Sequence, residues 1–400
     1  MRVLVINCGS SSIKYQLIDT TKEQALAVGS IERIGMADAI LTHKPLGKDK
    51  VIVSGEILEH VQAIEYTLAI LLSPNHGVIS DMSEIDAVGH RVVHGGERFS
   101  SSVIIDDEVM KEIEECSELA PLHNPHNIRG IRACQRLLPH AREVAVFDTA
   151  FHQTMPDHAY MYALPWALYT RHSIRRYGFH GTSHAWVAQR AAEIVGKPIE
   201  ELKTVTAHLG NGCSITAVDG GRSVDTSMGF TPLEGLVMGT RCGDIDPAVI
   251  LHVIAKEELS LHEANALMNK HSGIAGLSGI SGDLREVEAQ AEDGSERAML
   301  ALRVYCYRIR KYIAAYAGAM GGLDIVVFTA GVGEHSPMVR GLSTEGLEFL
   351  GLDIDADKND AAMSGQADIS TPDSRVKCLV IPTNEELAIA LETRRLVDDN

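Results

Sequence analysis

Two glycine-containing turns carry the residue types that hold phosphate groups. The first, Asn7-Cys-Gly-Ser-Ser-Ser12, follows the strand-like run Val3-Leu-Val-Ile6. The second, Leu209-Gly-Asn-Gly-Cys-Ser214, follows Thr204-Val-Thr-Ala-His208. Glycine and small hydroxyl residues let backbone N–H groups approach phosphate oxygens closely, and Lys14 adds a point charge after the first turn. The two turns together predict a clamp for a polyphosphate.

Two common nucleotide motifs are missing from these turns. Neither ends in the Gly-Lys-Ser/Thr of a P-loop, and a strand rather than a helix is expected after the first turn. No G-x-G-x-x-G opens a helix after the first strand, so the dinucleotide-binding fingerprint is absent. A third loop, Gly331-Val-Gly-Glu-His335, follows the apolar strand Ile325–Ala330 and is suited to packing against a base and ribose. An ordinary strand-to-helix turn is the alternative for its glycines.

The elements that must position these turns follow an α/β pattern. Asn7 aligns with His208 at an offset of 201 residues and Asp19 with Asp219 at an offset of 200, which suggests two related halves that each begin with a hairpin. Coincidence between two short hairpins is the alternative. Strands alternate with long helical stretches, so both faces of the sheets should be covered. The predicted helices are Val61–Leu72, Ala185–Val195, Arg297–Met320 and Thr383–Val397.

Composition limits the partners of the chain. Its 400 residues can bury a large core and favour two domains over one. The 54 acidic residues outnumber the 36 Lys and Arg, and the net charge of -18 argues against binding nucleic acid or an anionic membrane. The seven cysteines form no C-x-x-C pair, and no apolar segment is long enough to span a membrane. We therefore expect a cytoplasmic protein without disulfides.

Seven strings in the sequence resemble those of the acetate kinase family. They are long and uncommon, they occur in order, and the resemblance runs from about Leu4 to Ala390. The strings are Asn7-Cys-Gly-Ser-Ser-Ser-Ile-Lys14, His90-Arg-Val-Val-His-Gly-Gly96, Phe147-Asp-Thr-Ala-Phe-His152, Gly178-Phe-His-Gly-Thr-Ser-His184, His208-Leu-Gly-Asn-Gly212, Met238-Gly-Thr-Arg-Cys-Gly-Asp-Ile-Asp246 and Pro382-Thr-Asn-Glu-Glu386.

The resemblance implies an α/β fold of two duplicated ribonuclease H-like domains, as in acetate and sugar kinases, the Hsp70 ATPase domain and actin, with the active site in a cleft between the domains. Residues 1–150 plus 383–400 would form the N-terminal domain, which binds the acid and phosphate. Residues 151–382 would form the C-terminal domain, which binds the nucleotide and mediates dimerisation. The resemblance also implies a homodimer.

Individual roles follow from the resemblance where the strings match. The catalytic residues would be Arg91, Asp148, His180 and Arg241. The acid would contact Arg91, Val93, Leu122, Phe179 and Pro232. The ATP or ADP co-substrate would contact Ser10, Ser12, Lys14, His208, Leu209, Gly210, Asn211, Gly212, Asp283, Leu284, Arg285, Gly331, Val332, Gly333, Glu334 and His335. Asn7 and Glu385 would hold Mg²⁺, with Mn²⁺ as an alternative. His335 replaces an Asn of many relatives, which leaves the base contact open.

The residue types agree with phosphoryl transfer. Arginine can bind a carboxylate or a phosphoryl group through two parallel hydrogen bonds. A carboxylate substrate is already ionised at neutral pH, so Asp148 is expected to orient the metal and its neighbours rather than to remove a proton. His180 and His184 have the spacing of zinc ligands, but without the Glu of an H-E-x-x-H motif zinc is a weak interpretation.

Two local features lie beside these residues. Thr383 and Glu386 have the spacing of a capping box, which would leave Glu385 available for the metal. Cys213, within the second turn, is expected to be a buried and inert thiol.

The preferred function is the reversible, Mg²⁺-dependent transfer of the ATP γ-phosphoryl group to acetate, giving acetyl phosphate and ADP by direct in-line transfer. Val93 is the position that most favours acetate over propionate. Alternatives of the same class are a propionate or other short-chain acyl kinase and an enzyme that uses pyrophosphate. The alternative of another class is a non-catalytic nucleotide switch, which would need the clamp but not paired arginines facing an acid pocket.

Overall fold

The chain folds into two compact units. The computed structural model describes residues 1–399. The first unit runs from Met1 to Gln153 and resumes at Asn384, and the second runs from Thr154 to Thr383. Each unit contains one sheet with its own buried core.

The sheet of the first unit combines a hairpin meander with parallel strands. Its strands are β1 (Arg2–Cys8), β2 (Ser12–Asp19), β3 (Gln24–Glu32), β4 (Met36–Pro45), β5 (Val51–Ile57), β6 (Ala87–Val92), β7 (Val103–Ile104) and β8 (Arg142–Phe147). Its first helices are α1 (His60–Leu71), α2 (Asp107–Glu115) and α3 (Asn124–Leu137). The strand order is β5-β4-β3-β2-β1-β6-β8-β7. Strands β1 to β5 are antiparallel, whereas β1, β6 and β8 run parallel.

The second unit repeats the central part of this arrangement. Its strands are β9 (Lys203–Leu209), β10 (Cys213–Asp219), β11 (Arg222–Thr226), β12 (Ile325–Thr329), β13 (Ala367–Asp368) and β14 (Lys377–Val380). The strand order is β11-β10-β9-β12-β14-β13. Strands β9, β10 and β11 are antiparallel, and β9, β12 and β14 run parallel. The segment β3-β2-β1-β6-β8 therefore matches β11-β10-β9-β12-β14 in order and direction, as the repeated hairpins predicted.

Helices cover the sheets. Those of the second unit are α4 (Asp157–Tyr160), α5 (Trp166–His172), α6 (Gly181–Val195), α7 (Pro247–Glu257), α8 (Leu261–Lys270), α9 (Gly273–Ser278), α10 (Leu284–Glu292), α11 (Glu296–Met320), α12 (Ala330–His335), α13 (Pro337–Thr344) and α14 (Ala356–Ala361), and α15 (Glu385–Asp398) returns to the first unit. Short 3-10 helices lie at Met82–Glu84, Cys116–Glu118, Ala150–Thr154, Ile199–Glu201 and Glu348–Leu350. The helices predicted from sequence are confirmed as α1, α6, α11 and α15.

Burial explains why the central strands form where they do. All five residues of β12, Ile-Val-Val-Phe-Thr, are buried, as expected of a parallel strand covered on both faces. Apolar residues of α6 pack on one side of this sheet, where Val187 and Ala191 join Ile325 and Val327. The parallel strands end close to the functional residues, because β8 ends at Phe147, next to Asp148, and β9 ends at Leu209.

Two local expectations from sequence are wrong. The segment Gly331–His335 is not a loop but most of α12, which begins directly after β12. Thr383 does not cap α15; Asn384 is the cap, and its side chain accepts a hydrogen bond from the Leu387 backbone N–H. The backbone N–H of Thr383 instead donates a hydrogen bond to Glu334 Oε1 at 3.1 Å. Asparagine is as good an N-cap as threonine, so the cap simply moves by one residue.

No helix among residues 1–399 is both long enough and apolar enough to cross a membrane.

Candidate active site

The first turn is held in place from behind. Gly9 N–H donates to Ser12 O at 2.8 Å, which closes the turn between β1 and β2. His60 Nε2 lies 2.7 Å from Gly9 O, and Asn127 Nδ2 donates to Cys8 O at 2.9 Å. Ser10 and Lys14 are exposed, while Ser12 and Asn7 are half-buried. The backbone is thus fixed by buried contacts while the hydroxyl and amino groups of the turn face outward.

Arg91 and Asp148 form a two-point ion pair in the first unit. Arg91 Nε donates to Asp148 Oδ1 at 2.8 Å, and Nη2 donates to Oδ2 at 2.7 Å. Burial alone would lower the pKa of Arg91, but the carboxylates of Asp148 and Glu385 outweigh it and raise that pKa above its usual value. Both carboxylate oxygens of Asp148 are therefore occupied in fixing the direction of the guanidinium.

Glu385 is a carboxylate without a full set of partners. It is the first residue of α15, and its Oε1 is buried with no hydrogen-bond donor in reach. Burial raises the pKa of Glu385; Arg91 and Lys14 oppose that rise, and the nearby Asp148 carboxylate adds to it. A buried carboxylate oxygen that lacks a donor and has a second carboxylate nearby suits a divalent cation.

The described residues contain no group of three or more His, Cys, Asp or Glu side chains placed to hold a metal. This does not conflict with Mg²⁺, which commonly takes one or two protein ligands and completes its shell with water and phosphate. Glu385 and the half-buried amide of Asn7 fit such a sparse set.

His180 and His184 lie in a hydrogen-bonded group in the second unit. His180, at the start of α6, adopts a left-handed backbone conformation with φ 58°, and its Nδ1 lies 2.9 Å from Ser214 Oγ. His184 Nε2 lies 2.7 Å from the same oxygen, and its Nδ1 lies 2.7 Å from Thr206 Oγ1. The His180 ring also stacks on His208, with centroids 4.3 Å apart. Because both ring nitrogens of His184 face hydroxyl groups, the pair is not arranged to ligate zinc.

Arg241 and His180 flank the second turn. A Cβ atom at Gly212 would lie 3.5 Å from Arg241 Nη1 and 3.5 Å from His180 Cε1, so the two side chains meet over this glycine. Arg241 Nη1 donates to Pro232 O at 3.0 Å, and burial lowers the pKa of Arg241. Among residues 1–399 no carboxylate lies within ion-pair distance of Arg241. The second unit therefore presents a partly buried cation whose charge an anionic ligand would balance.

A cavity of about 610 Å³ in the second unit collects the predicted nucleotide segments. This volume is within the range of small-molecule sites. Among the residues predicted to contact the nucleotide, those that line it are Gly210, Asn211, Asp283, Leu284, Arg285, Gly331, Val332 and His335. Four further lining residues were missed by sequence reasoning, namely Gly239, Gly282, Glu288 and Ser336.

The walls of this cavity are closely packed. A Cβ at Gly239 would come within 2.7 Å of Asn211 Oδ1 and 2.8 Å of Gly282 O, so a larger residue cannot fit without moving the wall. Gly239 stands inside one of the resembling strings and Gly282 directly precedes Asp283, which are the signals that could have identified them. Glu288 and Ser336 bind each other, and neither stands in such a string.

Other predicted nucleotide residues have structural contacts instead. Leu209 is buried in the core, and Glu334 holds the Thr383 backbone. Gly333 packs against Phe328, and its carbonyl accepts from the buried Arg340 guanidinium at 3.0 Å. His208, whose Nδ1 lies 2.8 Å from Ser183 Oγ, and Gly212 adjoin His180 but do not line the cavity.

The four residues proposed to hold the acyl methyl group are divided between the units. Val93 is half-buried and its N–H donates to Asn127 Oδ1, whereas Leu122 is 70% exposed; both belong to the first unit. Phe179 is buried and Pro232 half-buried in the second unit.

Cys213 is buried, and burial raises its pKa to about 11. The thiol lies 3.2 Å from Tyr305 Oη and 3.1 Å from Gly210 O. The expectation that Cys213 is buried is confirmed.

Comparison with known proteins agrees with this arrangement. The chain is 59% identical over 397 residues to the acetate kinase of Alkaliphilus metalliredigens, covering 99% of this chain and 100% of that protein. The crystal structure of Porphyromonas gingivalis acetate kinase matches with a TM-score of 0.96 and 48% identity, covering 99% of both chains. A propionate kinase from Francisella tularensis matches with a TM-score of 0.92 and 42% identity, again over 99% of both chains.

The repeated sheets and these matches place the chain among two-domain α/β phosphotransferases. Within that class, a model of the acetokinase family matches residues 2–391. The chain belongs to the acetokinase family.

Proposed function

We propose that the protein transfers the γ-phosphoryl group of ATP to acetate, giving acetyl phosphate and ADP, and catalyses the reverse reaction. One observation carries this proposal. The turn Gly210–Gly212 lines the nucleotide-sized cavity through Gly210 and Asn211, and its last residue lies against Arg241 and His180. A nucleotide bound in the cavity would thus direct its phosphates toward Arg241, which has no carboxylate partner among residues 1–399.

The transfer needs placement and charge stabilisation rather than a covalent protein intermediate. An acetate oxygen attacks the γ-phosphorus in line, the bond to the bridging oxygen breaks, and ADP leaves with the electron pair. Arg241 and His180 donate hydrogen bonds to the phosphoryl oxygens as charge builds on them. Ser10, Ser12 and Lys14 are proposed to contact phosphate from the first unit.

Arg91 is proposed to bind and orient the acid. Acetate is ionised at neutral pH, so its oxygen is nucleophilic without a general base. The two-point contact of Asp148 with Arg91 supports a positioning role for Asp148.

Asn7 and Glu385 are proposed to hold Mg²⁺ or Mn²⁺, for which the unpartnered Glu385 Oε1 is the supporting observation. Such a cation, when bound, neutralises charge on the ATP phosphates. Glu385 itself would supply one negatively charged oxygen from a fixed helix N-terminus.

Acetate is proposed as the preferred acid, with propionate as the alternative. Val93, Leu122, Phe179 and Pro232 would enclose the methyl group. One methylene in an apolar pocket changes the free energy of discrimination by only about 1 to 3 kcal/mol. The 42% identity to a propionate kinase supports propionate as the alternative acid.

A homodimer formed through the second unit is also proposed. No residue of α7 (Pro-Ala-Val-Ile-Leu-His-Val-Ile-Ala-Lys-Glu) is buried, and Leu251 is 69% exposed. An apolar helix of this kind is typical of a surface that a partner covers. A cytoplasmic location is proposed from the seven cysteines, none of which is in a disulfide.

Purified protein with ATP, Mg²⁺, hydroxylamine and a series of short acids tests the function. We expect acyl hydroxamate with acetate above propionate and little with butyrate. A chain that forms hydroxamate with none of these acids would refute the proposal, and a higher kcat/KM for propionate would select the alternative.

A further inference from the structure

A line of hydrogen bonds connects a buried strand to His180. It begins at Thr206 on β9, whose Oγ1 lies 2.7 Å from His184 Nδ1. His184 Nε2 lies 2.7 Å from Ser214 Oγ on β10, and Ser214 Oγ lies 2.9 Å from His180 Nδ1. Thr206, His184 and Ser214 are all fully buried. Solvent therefore cannot serve as a hydrogen-bond partner for the side chains of these three residues.

The direction of the line is set by Thr206. In the described part of the chain, His184 Nδ1 is the one hydrogen-bond partner of Thr206 Oγ1. A hydroxyl carries one proton, and a buried proton that is not donated costs the desolvation of that group. Thr206 therefore donates to His184 Nδ1, which must be the unprotonated nitrogen of that ring.

The rest of the line follows from this first step. With Nδ1 of His184 accepting, Nε2 carries the proton and donates to Ser214 Oγ. Ser214 then donates a hydrogen bond to His180 Nδ1. A proton on His180 Nδ1 would leave one hydroxyl proton buried without an acceptor: that of Ser214 if the other two bonds keep their direction, or that of Thr206 if every bond is reversed. An imidazolium at His180 would have the same effect.

We propose that Thr206, His184 and Ser214 are positioning residues that hold His180 as the neutral tautomer with its proton on Nε2. This rests on the proposed role of His180 as a hydrogen-bond donor in phosphoryl transfer, and adds to it which nitrogen donates and why. A Cβ atom on Gly212 would lie 3.6 Å from His180 Nε2 and 3.5 Å from Arg241 Nη1, so these two nitrogens face the same point. The donated proton is thus on the nitrogen beside the guanidinium.

A neutral donor is suited to this place. His180 stands at the N-terminus of α6, where the helix dipole is positive, and beside a partly buried arginine. An imidazolium there would add a third positive contribution to the same small volume. A neutral N–H instead contributes a directed hydrogen bond to a phosphoryl oxygen and leaves the charge to Arg241.

Kinetics of Thr206→Val test the relay, because valine keeps the shape of threonine but cannot donate. We expect kcat to fall about tenfold, less than the 10²–10³ typical of removing a transition-state donor outright. The KM values for ATP and acetate should change little, and Thr206→Ser should restore kcat. Thr216→Val is the matched control, since Thr216 is a buried threonine on β10 whose hydroxyl binds Thr226 Oγ1 outside the relay. Equal kcat losses in Thr206→Val and Thr216→Val would overturn the proposal.

The tautomer itself can be read in the wild-type protein, so the test does not depend on a variant that folds. Nitrogen NMR of protein labelled at histidine, with His180 assigned by comparison with His180→Gln, distinguishes a protonated from an unprotonated ring nitrogen. We expect Nδ1 unprotonated and Nε2 protonated at the pH of the activity assay. A proton on Nδ1 in an active enzyme refutes the relay, whereas an expected tautomer in a protein that makes no acetyl phosphate refutes the proposed function instead.

Discussion

Replacing Asp148 by asparagine separates a positioning carboxylate from a general base. The variant keeps one oxygen that can accept from Arg91, but it loses the charge and turns an NH₂ group toward the other guanidinium N–H. Hydrogen bonds to charged groups contribute about 1.5–3 kcal/mol each. Breaking a buried pair by removing one partner costs about 3–5 kcal/mol.

The loss of Asp148 should cost no more than the lower end of the range of about 3–5 kcal/mol for buried pairs. The Arg91 side chain is 21% exposed, and it keeps Glu385 as a nearby negative charge. We expect Asp148→Asn to lower the free energy of unfolding by about 2–3 kcal/mol, measured by denaturant unfolding. Glu112→Gln, which removes the surface ion pair with Arg98, is the control and should change stability by less than about 1 kcal/mol.

The kinetic effect should come from misplacement of Arg91. A shift of about 1 Å in a positioned group can cost about 10²-fold, so kcat/KM for acetate should fall by about that factor. The shape of the pH–rate profile should stay unchanged, because the carboxylate substrate has no proton to lose. If the variant binds Mg²⁺ normally but loses one limb of that profile, Asp148 acts as a base and the positioning argument fails.

Three further predictions concern the metal, nucleotide and acid residues. The raised pKa of Glu385 makes its ionised form unfavourable in the folded metal-free protein, so this group's contribution to stability falls as pH rises above the unfolded carboxyl pKa. Glu385→Gln should therefore raise the metal-free Tm at pH 7 while sharply raising the Mg²⁺ concentration needed for activity; an unchanged Mg²⁺ requirement would exclude Glu385 as a ligand. Gly239→Ala should raise KM for ATP several-fold, because the new Cβ would press on Asn211 and the Gly282 carbonyl. A change confined to KM for acetate would contradict the assignment of the cavity to the nucleotide. Val93→Ala should improve propionate relative to acetate by about 1–3 kcal/mol in kcat/KM, and equal effects on both acids would exclude Val93 from the pocket.

The framework of the fold was accessible from the sequence because it rests on regular patterns. Apolar runs such as that of β12 are recognisable without a structure, and α6 and α11 were placed by their helical periodicity. The N-cap of α15 was misplaced because Thr383 and Asn384 are both good caps. What decides between them is a tertiary contact, since Glu334 holds the Thr383 backbone N–H.

Several of the residues named from the sequence line one cavity, whereas the contacts that complete the cavity were not predicted. The cavity of the second unit is lined by three of the predicted nucleotide segments: Asn211, Asp283–Arg285 and Gly331 with Val332. The sequence carried no sign that Glu288 completes this wall, because its contact with Ser336, which directly follows His335, depends on how α10 and α13 pack. Likewise Glu334 stands in a nucleotide-like string, but its carboxylate turns away to the chain before α15.

The two hairpins show why a repeat predicts position better than role. In the register of β1 and β2, Asn7 pairs with Lys14, and in that of β9 and β10, His208 pairs with Ser214. These pairs occupy the same place in two sheets of the same order. The repeat therefore determines the backbone position of Lys14 and of Ser214. What each side chain does depends on its surroundings: Lys14 is exposed and presents a charge, whereas Ser214 packs against α6 and hydrogen-bonds to its histidines.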